Sequence, residues 1–159
     1  MASPQDSITE WLTLLSKNCR SNGVPEGYHY AGIGDFLTQH GVWYEPKPLP
    51  KDIRRGMPRQ CFYNALQVSR RRGYRYVEGY AVPDINNLDF PAHHAWNLDH
   101  DGKVIDCTWD KLGRAYFGVA FPVDVAKAAL AHDGSTVLDN IHSDFELFRT
   151  PFCEVISER

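Results

Sequence analysis

The sequence predicts an α+β domain with an antiparallel sheet, on three observations. A helical apolar pattern lies near the start, a second helical segment opens at Cys61, and consecutive alternating apolar runs then follow from residue 74. In "DSITEWLTLLSKNCRSNG", Ser7 and Glu10 have the spacing of a capping box, and Ile8, Trp11, Leu12, Leu15 and Cys19 recur at helical intervals. This predicts a helix over residues 8–20 that stops near Gly23. A short helix is expected over 35–40, closed by Gly41. "YEPKPLPKDIRRGMPR" has four prolines in sixteen residues and no periodicity, the mark of an extended surface loop.

"CFYNALQVSRRRG", residues 61–73, places Phe62, Ala65, Leu66 and Ser69 on one side and arginines in the last turn, where they suit the negative end of the helix dipole. "YRYVEGYAV" alternates and is rich in aromatic and β-branched residues, so 74–82 reads as a strand, with Tyr76, Glu78 and Tyr80 forming part of a core face and a solvated face. In "HHAWNLDHDGKVIDCTW" the Asp101-Gly102 pair between two apolar runs signals a hairpin with strands over 93–99 and 103–108. "RAYFGVAF" is another strand, and "VDVAKAALAH" a helix from near Pro122 to Gly134. Residues 135–159 mix apolar and acidic residues without a clear pattern.

The 159 residues are expected to form one domain, 1–159. A chain of that size buries roughly 70% of the surface its unfolded form exposes. A hydrophobic share of 43% and a charged share of 23% are those of a globular chain. The net charge of −3 offers nothing to nucleic acid or to an anionic membrane as a whole. The positive charge is nevertheless uneven: Arg54, Arg55, Arg59, Arg70, Arg71, Arg72 and Arg75 crowd into residues 54–75. They form either a solvated face or a surface for an acidic partner, centred on Arg70, Arg71 and Arg72. "MASPQDSITEWLTLLSKNC" has no basic leader and no long apolar run, so a cytoplasmic protein without a membrane span is expected. Cys19, Cys61, Cys107 and Cys153 show no CxxC pair, and no disulfide is expected.

Hairpin geometry brings chemistry together. If His100, Asp101 and Gly102 form a bulged turn with glycine in the left-handed position, Asp99 faces Lys103 and Trp96 faces Asp106. His94, Trp96 and Asp106 then share one face, with Asp106 a diagonal neighbour of His94 at roughly 7–8 Å by backbone. A one-residue slip would separate them. A carboxylate beside an imidazole fixes the ring tautomer and stabilises its charged form, which is what a nucleophile's base requires. Cys61 is the candidate nucleophile, since first-turn amides and the helix dipole favour a thiolate there and can also hold an oxyanion.

The order Cys in "QCFYNAL", His in "HHAWNLD" and Asp in "GKVIDCTW" resembles the transglutaminase-like branch of the papain-type cysteine hydrolases. That family typically shows "HAW", a glycine turn and a hydrophobic strand ending in "D.TW". The resemblance spans residues 61–109, about one third of the chain. It implies a papain/transglutaminase-like core, with the cysteine helix packed on an antiparallel sheet. It also implies acyl transfer in which Cys61 attacks an amide carbonyl, His94 is base and then acid, and Asp106 orients His94. The substrate would be a peptide, an isopeptide or a glutamine side chain, and no cofactor is implied. Cys107 stands where the pattern usually has proline. The oxyanion helper is open among Gln60, Gln39 and Trp43, and Trp96 is a candidate site wall beside Gln60.

Other readings stand beside this one. Cys61 alone would be an ordinary buried thiol. His93 points to the opposite face from His94 and is the alternative base, while Asn97 is the alternative orienter. Cys61, His93, His94, Asp106 and Cys107 are all metal-ligand types, but neighbours on a strand point apart, so no metal site is expected. The alternative function is a catalytically inactive binding or inhibitor module on the same scaffold, using the arginine cluster.

Overall fold

The computed structural model describes residues 3–86 and 88–152, a mixture of helices with one antiparallel sheet. Cys153 and the end of the tail lie outside the described residues. Helix α1, Pro4–Ser21, begins earlier than Ser7 predicts. The capping box is made by Ser3, whose Oγ accepts from the Asp6 amide at 3.1 Å while Asp6 Oδ2 accepts from the Ser3 amide at 2.8 Å. Pro4 follows in the first helical position, where its missing N–H costs nothing. Ser7 lies inside the helix, its hydroxyl donating to the Ser3 carbonyl at 3.4 Å.

Helix α2, Ile33–His40, packs on α1 through Gly34, where a Cβ would come within 2.7 Å of Leu15 Cβ. Strand β1, Val42–Trp43, helix α3, Cys61–Arg72, and strands β2, Arg75–Val82, β3, Ala92–Leu98, β4, Val104–Ile105, and β5, Ala115–Phe121, follow. Helix α4, Val123–Ala129, stops at Leu130 rather than reaching Gly134, and a 3₁₀ turn, Ile141–Ser143, and a short helix α5, Glu146–Arg149, complete the described chain. The strand order is β1-β5-β2-β3-β4, antiparallel throughout.

The hairpin register follows from its turn. Gly102 takes φ +75°, Asp99 Oδ1 accepts from the amides of Asp101 and Lys103 at 3.0 and 2.9 Å, and Asn97 pairs with Ile105. The second strand is shorter than the predicted 103–108. After Ile105, Asp106 Oδ1 takes the amides of Thr108 and Trp109 at 2.9 and 3.3 Å, and the chain turns off the ladder.

Helices cover one face of the sheet, where Tyr76, Tyr80, Ala95 and Val119 meet Ile8, Phe36, Ala65 and Leu138. The proline-rich segment covers the other. It joins the sheet edge through Pro46 beside Val104, packs Tyr44 against Val77 and Trp96, and sets Ile53 against Ile105 and Cys107. With both faces covered, seven successive residues of β2 are buried, so the expected solvated face around Glu78 does not exist.

Glu78 is fully buried. Its Oε1 accepts from the Tyr76 hydroxyl at 2.7 Å and the Val137 amide at 2.8 Å, and its Oε2 from the Leu138 amide at 2.9 Å. One carboxyl therefore fastens residues 137–138 to the central strand, satisfying amides that would otherwise be buried without partners. Glu78→Gln turns an NH2 group toward one of these donors. It is expected to lower unfolding free energy in urea by about 2–4 kcal/mol and to speed hydrogen exchange at Val137 and Leu138; an unchanged urea midpoint would contradict this role.

Candidate active site

Helix α3 begins at Cys61 because Met57-Pro58 and Arg59 precede it in non-helical backbone, Arg59 at φ +63°, and Gly73 ends it in the left-handed conformation at φ +67°. Gln60 occupies the N-cap position without a side-chain hydrogen bond to the first turn. The amide end of the helix at Cys61 therefore carries no side-chain cap.

Strand β3 holds this helix with one face and presents His94 on the other. On the helix side, Asn97 Nδ2 donates to the Ala65 carbonyl at 2.9 Å and to Ser69 Oγ at 2.8 Å. Asn97 is thus a tether for α3, which corrects its reading as an alternative orienter. On the other side, His94 Nε2 lies 2.8 Å from Asp106 Oδ2, leaving Nδ1 as the second ring nitrogen. The His94 ring stacks on Trp109, with centroids 3.9 Å apart and planes 10° apart.

Asp106 is buried and receives four donors: His94, the Tyr116 hydroxyl at 3.0 Å, and the amides of Thr108 and Trp109. Burial pushes its pKa up, but His94, Thr108 and Tyr116 outweigh burial and hold it below the usual carboxylate range. Burial likewise opposes charge on His94, yet Asp106 and then Cys61 raise its pKa to about 9. Burial, and next the Asp106 charge, raise the Tyr116 phenol well above its ordinary value, so it stays a donor.

Asn64, one turn along α3 from Cys61, fixes the helix against the Asp106 turn. Its Nδ2 donates to Thr108 Oγ1 at 2.9 Å and to the Met57 carbonyl at 2.8 Å. Gly56 allows this contact, since a Cβ there would lie 2.2 Å from Asn64 Cγ. Arg55 donates to the carbonyls of Trp109 and Asp110, bracing the same turn.

Cys61 and His94 line one cleft of about 630 Å³, together with Arg59, Phe62, His93 and Trp109. Cys61 is 9% exposed and His94 2%. His93 enters from the helix side, its ring 5.0 Å from Phe62 and its Nε2 3.8 Å from Glu78 Oε2. The other candidates lie elsewhere. Gln60 is exposed but absent from the cleft wall; Trp96 is buried beneath His94 in the second core cluster. Gln39 is exposed on α2, and Trp43 packs on Phe117 at 4.7 Å. Cys107 is buried behind the site and faces a different groove, and burial raises its thiol pKa. Among the described residues no group of three or more His, Cys, Asp or Glu side chains is placed to hold a metal ion.

Sequence reasoning missed Tyr116 and Asn64, and read Arg55 only as part of the arginine cluster. Tyr116 reads only as an aromatic in a strand, and its place opposite Asp106 depends on β5 lying beside β2, a pairing that no local pattern specifies. Compared with known proteins, the chain matches no family model, no curated protein and no solved structure.

The His94 imidazole is expected to titrate near pH 9 by NMR, above its ordinary 6.5. In Asp106→Asn the midpoint should fall, because burial still opposes the charged ring and the carboxylate no longer supports it. The raised value also stabilises the fold: the contribution is complete below the unfolded-state pKa near 6.5 and is lost as pH rises through about 9. The urea midpoint should accordingly decline across that window, and a His94 midpoint at 6.5 would contradict the coupling.

Proposed function

We propose that the protein is a cysteine-dependent hydrolase or acyltransferase acting on an amide through Cys61, His94 and Asp106, on a papain/transglutaminase-like core. The observation that carries this reading is the His94 ring held by Asp106 at 2.8 Å on one nitrogen, in the same cleft wall as the thiol at the start of α3. A raised imidazole pKa supports it further, since a proton held on His94 is the one the leaving amine needs.

The steps follow from the atoms available. Cys61 Sγ, its proton already held on His94 Nδ1, bonds to the amide carbonyl carbon. The carbonyl oxygen takes up negative charge, which the uncapped first-turn amides of α3 suit. His94 returns its proton to the amine nitrogen as the C–N bond breaks, leaving a thioester. Water or a second amine then attacks, His94 accepts its proton, and the thiol re-forms. Throughout, the Nε2 hydrogen bond to Asp106 fixes the tautomer. Gln60 as oxyanion helper and Trp96 as substrate wall gain no support from their positions.

A second reading is a binding or inhibitor module on the same scaffold, favoured by the low exposure of Cys61 and His94, 9% and 2%. Thiol labelling separates the two. Iodoacetamide at neutral pH is expected to modify Cys61 well ahead of Cys19 and Cys107, with mapping by peptide mass spectrometry. His94→Ala should slow that labelling at least about tenfold, and Asp106→Asn should lower turnover of fluorogenic peptide amides at least about a hundredfold. Slow, mixed labelling would exclude the catalytic reading in favour of the module.

A further inference from the structure

The arginine-rich segment folds around a second groove, about 680 Å³ in volume, that shares Pro58 with the Cys61 cleft. One wall is the 52–58 loop. The other is a stripe of α3, Tyr63, Gln67 and Arg71, at intervals of four residues, on the side of the helix turned away from Ala65 and Leu66. The groove therefore runs along α3 away from the thiol. At about 1.5 Å per residue, Arg71 lies roughly 15 Å along the axis from Cys61, the span of four or five residues of extended peptide at about 3.3 Å each.

Four arginines, Arg54, Arg55, Arg71 and Arg72, line this groove against a single carboxylate, Asp52. Two are engaged: Arg72 pairs with Asp52 at 2.5 Å, and Arg55 is spent on the Trp109 and Asp110 carbonyls. Arg54 and Arg71 are exposed and meet no carboxylate among the described residues. Arg70, grouped with its neighbours by sequence alone, does not line the groove. Between the cations lie apolar surfaces, above all Met57 and Tyr63, 65% and 55% exposed. A polyphosphate chain calls for a continuous row of cations, and the net charge of −3 repels one at a distance. Separated guanidiniums set among apolar side chains suit a chain that carries both carboxylates and apolar groups.

We propose that this groove is the substrate-recognition site and takes an acidic peptide segment, whose carboxylates meet Arg54 and Arg71, the latter four or five residues from the amide presented to Cys61. The inference rests on the cysteine-hydrolase reading for the nature of the reaction, while the groove's preference for acidic peptide is tested without turnover.

The probe is a fluorescein-labelled heptapeptide alternating glutamate and leucine, titrated into the Cys61→Ala protein by fluorescence anisotropy. Its glutamine-for-glutamate counterpart and a single-stranded DNA of similar length serve as comparisons. The acidic peptide should bind at least about tenfold more tightly than either, and affinity should fall with salt. Arg54→Gln with Arg71→Gln should cost about tenfold, whereas Arg70→Gln, an equal change of charge outside the groove, should leave affinity unchanged. In the parent protein the same peptide should slow iodoacetamide labelling of Cys61. Equal binding of the glutamine peptide, tighter binding of the DNA, or equal loss with Arg70→Gln would overturn the proposal, as would peptide binding that leaves Cys61 labelling unaffected. Slow labelling of Cys61 in the free protein, with arginine-dependent peptide binding intact, would instead remove the hydrolase reading and leave the groove's acidic preference standing.

Discussion

The Asp106 carboxylate gathers four donors from three directions, and the arrangement of the candidate site depends on it. Its Oδ1 captures the amides of Thr108 and Trp109, which ends β4 after two residues and swings Trp109 back over the hairpin. Its Oδ2 takes His94 and Tyr116. The same group thus sets the course of the chain, the tautomer of the imidazole and the ring that stacks on it. Burial makes this demanding: a carboxylate removed from water stays charged only if its oxygens are satisfied, and here they are.

Strand β3 converts that local order into a relation between two elements. Because successive side chains alternate, Asn97 faces the helix layer and His94 the opposite layer, so one rigid strand holds α3 and positions the imidazole. Asn64 closes the frame from the helix side by bonding Thr108 and Met57, with Gly56 providing the room. The thiol at the head of α3 is therefore located by contacts on both sides of it.

The electrostatics of the molecule divide along the same lines. Buried carboxyls at Asp106 and Glu78 each organise backbone amides, while Arg54, Arg55, Arg71 and Arg72 gather on an open groove beside Pro58. Charge inside the fold fixes structure, whereas Arg54 and Arg71 on the groove are exposed to solvent. A chain that is negative overall thereby carries a local cationic surface next to its thiol cleft.

The sequence by itself determined what short-range geometry controls. The glycine at residue 102 and the alternation on either side of it specify the hairpin register, and with it the His94–Asp106 pair; the glycine at residue 73 and the run before it specify α3 with Cys61 at its head. Even locally, competing caps are decided by neighbours, as the Ser3 and Pro4 start of α1 shows against Ser7. Only the tertiary structure decided which segments meet across the sheet. Glu78 reads as half-solvated because alternation cannot register that residues 137–138 and the proline-rich loop cover both faces; Tyr116 acquires its carboxylate, and Arg71 its groove, from partners distant in sequence. Periodicity reports the direction in which a side chain points, and burial depends on what long-range packing places there.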